Sequence, residues 1–217
     1  MGDMRVCLAS TSPARLMLLR QAGIEPETEA PQVDEDAVIA DVEAVHGRLA
    51  ADAHVLLLAR RKAADVAARL MEDDPGFDGI VIGGDSMFEI GGEILGKPYT
   101  PEAATARWQD MRGRTGVLHS GHSVIRIAPG AAAVEAHAVA EASVTFVADI
   151  TDAEIAAYVG SGEPLQVAGA FTVDSLGGAF IERVEGDPST VVGMSLSTVR
   201  RLAREVGVTW PDLWSPM

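Results

Sequence analysis

Two kinds of hydrophobic pattern alternate along this chain. Short β-branched and apolar runs give way to longer stretches whose apolar residues return every three or four positions, and proline, glycine and acidic clusters separate them. The first run, Val6–Ala9, predicts a strand that breaks at Ser10-Thr11-Ser12-Pro13. A leucine-rich pattern over Ser12–Ala22 then predicts a helix stopped by Gly23. Ala51–Met71 predicts a long alanine- and leucine-rich helix, ended by the acidic, proline and glycine residues of EDDPGFDG. Gly79–Gly83 reads as a buried strand, and FEIGGEIL as a hairpin about Gly91-Gly92. Pro101–Met111 predicts a helix, followed by strands at His119–Ile127 and Val139–Val147 around a weakly patterned connection, APGAAAVEAHA. Thr151–Val159 reads as a helix with Thr151 as its cap and Glu154 at the capping-box position. A glycine-rich, sheet-like region follows, and Ser195–Val206 closes the chain as a helix. Strands and helices alternate while hairpins interrupt them, which predicts an α/β fold with a mixed central sheet flanked by helices. No linker or internal repeat divides residues 1–217, so the expectation is a single domain, with two lobes allowed by its length.

Composition narrows the setting. At 47% hydrophobic the chain can bury an ordinary core, and disorder is excluded. Its net charge of −15 repels nucleic acid and anionic membranes, so an anionic substrate needs a locally basic pocket or a metal ion. The lone Cys7 excludes an intramolecular disulfide and suits a reducing cytosol. The amino terminus carries no signal-peptide or myristoylation pattern, and runs such as HVLLLA are too short to span a bilayer. The expectation is a soluble cytoplasmic protein with neither a nucleic-acid nor a membrane partner.

Three constellations carry candidate chemistry. Ser12 is a preferred N-cap and Pro13 a preferred first helical residue, so first-turn amides point at the strand's carboxyl end, where an anion is stabilised. Ser10 and Arg15 add a hydroxyl and a guanidinium that together could cradle a phosphate; the alternative is a plain helix cap with a solvated arginine. In VIGGDSMFEIGGEILGKP the strand delivers Asp85 just past its end, placed to bind metal or activate water, or merely to cap a turn, and Lys97 follows the hairpin. The run Asp34-Glu35-Asp36 offers hard oxygens to magnesium or manganese, or is a solvated loop. Arg114 in GRTG is a loop arginine or a further phosphate contact.

Read together, LASTSPARLMLLRQAGI, VDE, LARRKA, IGGDS, GEILGKP, MRGRTGVLHSG, YVGSGEPLQVAGAF and VVGMSL resemble the Maf family of nucleotide pyrophosphatases, in the family's order and over nearly the whole chain. The resemblance implies an elongated, two-lobed Maf/ITPase-like fold with a cleft between the lobes. It also implies hydrolysis of a nucleoside triphosphate to the monophosphate and pyrophosphate with a divalent cation, Mg²⁺ or Mn²⁺. Carried over by position, Asp85 is the catalytic base and Glu35 the acidic residue near the metal, and both are metal ligands. Ser10, Ser12 and Arg15 form the phosphate-facing turn, and Lys62 and Lys97 are the lysines of the KA and GKP segments. The sequence departs from the family pattern at Ala14, Ser86 and Asp174, and GMSL replaces Gly-Leu-Pro-Leu, so the departures bear on which base is chosen. An ionised Asp174 accepts hydrogen bonds and suits a donor-rich base edge, while small Ala14 and Ser86 leave room for a larger ring. The alternatives are a non-catalytic nucleotide-binding regulator of septum formation and a same-fold enzyme acting on damaged purine triphosphates. A homodimer is one assembly open to the chain.

Overall fold

Strand β1 (Arg5–Ala9) stops at Ser10, and helix α1 (Pro13–Gln21) starts three residues later because Ser12 caps it and Pro13 occupies its first turn. These details come from a computed structural model that describes residues 4–215; Met1–Asp3, part of the stretch read as free of a targeting pattern, and residues 216–217 lie outside it. After α1 come β2 (Glu27–Glu29), α2 (Glu35–His46), α3 (Ala51–Asp73), β3 (Gly79–Ile90), β4 (Glu93–Leu95) and α4 (Pro101–Met111). The remainder is β5 (Thr115–Ile127), β6 (Val134–Phe146), α5 (Asp152–Gly160), β7 (Ile181–Gly186), α6 (Pro188–Val192) and α7 (Leu196–Glu205). Seven strands form one sheet in the order β2-β1-β3-β5-β6-β7, with β4 paired to β3. Strand β1 runs parallel to β2 and β3, whereas β4 and β7 pair antiparallel to β3 and β6, so the sheet is mixed as the pattern predicts. Among the described residues no helix is long and apolar enough to cross a membrane.

Four expectations change. Strand β3 continues to Ile90, so Asp85 lies within it rather than just past its end. Asp34-Glu35-Asp36 is not a loop: Asp34 Oδ1 accepts the Ala37 amide at 3.0 Å as the cap of α2, and Glu35 and Asp36 fill its first turn, where negative charge opposes the helix dipole. The connection before Val139 is already strand from Val134. The glycine-rich region after α5 is a series of 3₁₀ turns, and only Ile181–Gly186 is strand. The capping box at Thr151 and Glu154 forms as expected.

The described chain separates into two compact units, one of residues 4–85, 120–140 and 193–215, the other of 86–119 and 141–192. The first packs β1, β3 and β5 residues Cys7, Val81, Ile125 and Ile127 against Ala63, Val66 and Ala67 of α3. Burial pushes the Cys7 thiol up to about 12, which leaves it a packing residue rather than a nucleophile. The second is built on aromatic edges: Trp108 meets Phe146 at 5.4 Å and Tyr158 at 5.3 Å, and Phe88 meets Phe171 at 4.9 Å.

Candidate functional site

Most of the buried stripe of α3 is apolar, with Val55, Leu58, Ala59, Ala63, Val66 and Ala67 returning at helical spacing, yet Lys62 lies within it. A buried ammonium is tolerated only when it is paired. Lys62 Nζ lies 2.8 Å from Asp85 Oδ1 and 2.9 Å from Glu35 Oε1. The lysine side chain is 9% exposed and that of Asp85 14%, while Glu35 at the start of α2 is 48% exposed. Gly83 permits this approach: a Cβ there would stand 2.3 Å from the Ala59 carbonyl oxygen and 2.8 Å from the Ala63 Cβ, so only glycine lets α3 lie close enough to bring Lys62 to Asp85.

Register supplies the second half of the site. Ala9 of β1 lies opposite Gly83 of β3, so the turn Ser10–Ser12 and the start of α1 sit beside the strand that carries Asp85. Ser12 Oγ accepts the Arg15 amide at 3.4 Å, and the nearly buried Ser10 Oγ accepts the Ser12 amide at 3.1 Å and Arg15 Nη1 at 3.3 Å. Arg15 Nε donates to the Gly193 carbonyl at 2.8 Å. Gly84 comes within contact distance of that guanidinium, its ideal Cβ being 3.2 Å from Nε. Burial pulls the Arg15 pKa below its ordinary value, and the charges of Asp85 and Glu35 pull it back up. Two cationic side chains and two carboxylates thus share one end of the parallel strands, with the capped start of α1 beside them.

The structure brings together Ser10, Ser12, Arg15, Glu35, Lys62 and Asp85, all in the first unit. Ala14 lies half-buried on α1. Ser86, Lys97 and Asp174 belong to the second unit, Ser86 on β3 and Lys97 exposed after β4. Asp174 is exposed on a turn held by Glu163, whose carboxylate accepts from Tyr158 Oη at 3.0 Å, Thr172 Oγ1, Ser175 Oγ at 2.8 Å and the amides of Leu176 and Gly177 at 3.2 and 3.1 Å. Burial alone would raise the Glu163 pKa, but these donors bring it down to about 2. Arg114 pairs with Asp110 four residues earlier, which favours its reading as a loop anchor. Sequence reasoning gave no role to Ser120, His122, Gly193 and Ser195; the polar cluster Ser120, His122 and Ser123 inside a predicted strand was the available signal, and the structure buries all three.

Asp85 and Glu35 converge on a single cationic atom, the Lys62 ammonium, and their hard carboxylate oxygens are of the kind a divalent ion prefers. Among the described residues no group of three or more His, Cys, Asp or Glu side chains gathers as a self-sufficient metal cage.

Comparison with known proteins adds the family. The model of the family described as Maf-like protein matches residues 5–206. A nucleoside triphosphate pyrophosphatase of Leifsonia xyli subsp. xyli is 59% identical over 98% of this chain and 97% of its own length. One of Rhodococcus jostii is 53% identical over 96% and 95%. Among solved structures, the Staphylococcus aureus Ham1 protein aligns with a TM-score of 0.32 and 10% identity over 66% of this chain and 72% of that one, too remote to bear on the site.

Proposed function

The chain belongs to the Maf family, and from that membership we propose that it is a nucleoside triphosphate pyrophosphatase, acting at the site built from Ser10, Ser12, Arg15, Glu35, Lys62 and Asp85. One observation carries the assignment of the site: a buried lysine clamped between two carboxylates, beside the arginine of a capped helix start.

Water attacks the α-phosphorus, its proton passes to Asp85, the bond from the α-phosphorus to the bridging oxygen breaks, and pyrophosphate leaves. Lys62 occupies Asp85 Oδ1, so Oδ2 is the oxygen assigned to the water. Negative charge that grows on the bridging and equatorial oxygens is met by Lys62, Arg15 and the first-turn amides of α1, with Lys97 as a further cation carried over from the family. Asp85 and Glu35 would hold the divalent cation, which when bound neutralises phosphate charge. Net charge agrees with this division of labour, because a chain at −15 opposes capture of a polyanion unless cations are concentrated locally. Asp174 is assigned to base choice, favouring guanine-type or cytosine triphosphates. We place the activity in the cytoplasm, where the single buried Cys7 stays a thiol.

The test is a nucleotide panel assayed for pyrophosphate with Mg²⁺, with Mn²⁺ and in excess chelator. Pyrophosphate as first product, formed only with a divalent cation, is the expected result. Binding without turnover across the panel would favour the non-catalytic regulator instead, and inorganic phosphate appearing first would overturn the assignment.

A further inference from the structure

Strand β5 carries two polar side chains, Ser120 and His122, on one face, both with no solvent exposure. His122 Nε2 lies 2.8 Å from the Ser195 amide nitrogen. A backbone amide only donates, so Nε2 carries a lone pair, and the ring is neutral with its proton on Nδ1. Ser195 in turn caps α7, its Oγ accepting the Thr198 amide at 3.2 Å. Two residues before it stands Gly193, at φ +120°, a conformation that glycine alone adopts readily. Its carbonyl accepts from Ser120 Oγ at 3.2 Å as well as from Arg15 Nε at 2.8 Å. The segment 193–195 is therefore tied to β5 at both ends, with the fully buried Met194 between the ties, and it fixes the Nε edge of the Arg15 guanidinium.

We propose that His122 is a positioning residue for Arg15, acting through the Ser195 amide and the Gly193 carbonyl, an inference that rests on Arg15 being a triphosphate contact. A guanidinium recognises phosphate with two parallel donors in one plane, so a carbonyl that fixes one edge of the group fixes the direction of the rest. Tilting the carbonyl misdirects the fork while the charge remains. His122 never touches the nucleotide; it holds the residue that does.

A double-mutant cycle on kcat/KM, with Mg²⁺ and the best nucleotide of the panel, tests this. The variants are His122→Leu, His122→Gln, Arg15→Lys and the two combinations. Glutamine presents an oxygen acceptor near the place of Nε2; leucine presents none. His122→Leu is expected to lower kcat/KM about tenfold when Arg15 is present and to change it less than about twofold in the Arg15→Lys background. His122→Gln is expected to recover most of the loss. Equal losses from His122→Leu in both backgrounds would mean a merely structural histidine and overturn the proposal while sparing the role of Arg15. An Arg15→Lys protein with unchanged kcat/KM would remove that role and the proposal with it. Should the leucine variant not fold, a long-range ¹H–¹⁵N spectrum of the unaltered protein decides: an unprotonated Nε2 is required, and a protonated Nε2 at neutral pH overturns the arrangement.

Discussion

Lys62 is the residue from which the rest of the site can be reasoned. An ammonium within an apolar helix stripe is stable here because Asp85 and Glu35 flank it, and the same pairing leaves a carboxylate beside a cation where the water is assigned. Asp85→Asn is expected to keep the fold, since Glu35 still partners Lys62 and an amide oxygen can accept from the ammonium. It should cut turnover by on the order of a hundredfold or more, because the amide can neither take the water's proton nor help hold a cation. Steady-state turnover together with circular dichroism checks this; near-parental turnover in a folded variant would dismiss Asp85 as base. Asp174 supports a specificity prediction. If it faces the base as assigned, its carboxylate would accept from the ring N–H and amine of guanine or the amine of cytosine, whereas a glutamine could also donate to the carbonyls of uracil and thymine. Asp174→Gln should shift the ratio of kcat/KM from GTP or CTP toward UTP or dTTP by roughly tenfold, the worth of one hydrogen bond to a charged group. A parental preference for UTP or dTTP that survives the substitution would contradict it.

Among the elements, α1 and α5 were legible because capping is local: Ser12-Pro13 and Thr151 with Glu154 name their helix starts in the sequence alone. Helix α2 was not, although Asp34 is an equally good cap and Val38, Ile39, Val42 and Val45 recur at helical spacing, because the acidic run at its start reads equally well as a set of ligands or a solvated loop. Strand β3 was cut short for a related reason: Gly84-Asp85-Ser86 breaks the apolar run, and pairing of Phe88–Ile90 with β4, which propensity does not register, carries the strand through. The site was legible only in part. Single motifs pointed to Asp85, Arg15 and Ser12 without deciding their roles, and the register that places Ala9 opposite Gly83, or that lets β5 hold residues 193–195, is long-range. Glu163 shows how one side chain organises an irregular element, bracketing Asp174 through Thr172, Ser175, Leu176 and Gly177. Its donors favour the ionised form and lower its pKa from 4.5 to about 2, so the stabilisation it gives is fully present above pH 4.5 and is lost as pH falls toward 2. Glu163→Gln is therefore expected to lower Tm at neutral pH, with the gap to the parent narrowing between about pH 4.5 and 2. A gap that stays constant over that range would show that the carboxylate charge is not what holds the turn.

Across the whole molecule, acidity and function pull in opposite directions. A chain at −15 repels a triphosphate on average, yet Arg15 and Lys62, whose charges balance those of Asp85 and Glu35, and the α1 start bring cationic groups and amide donors to one end of the parallel strands. Each unit carries its own core, the second around fully buried Trp108, whose Nε1 also donates to the Ala170 carbonyl at 2.7 Å. Trp108→Ala should consequently destabilise the protein by about 3–5 kcal/mol, measured by urea unfolding, and a loss under about 1 kcal/mol would contradict that packing. The central claim, that water attacks the α-phosphorus at the Asp85 site, is tested most directly by hydrolysing the preferred triphosphate in ¹⁸O-labelled water and weighing the products. The account predicts one labelled oxygen in the nucleoside monophosphate, unlabelled pyrophosphate, and loss of both products in Asp85→Asn. Label in the pyrophosphate, or a nucleoside diphosphate with labelled phosphate, would contradict it.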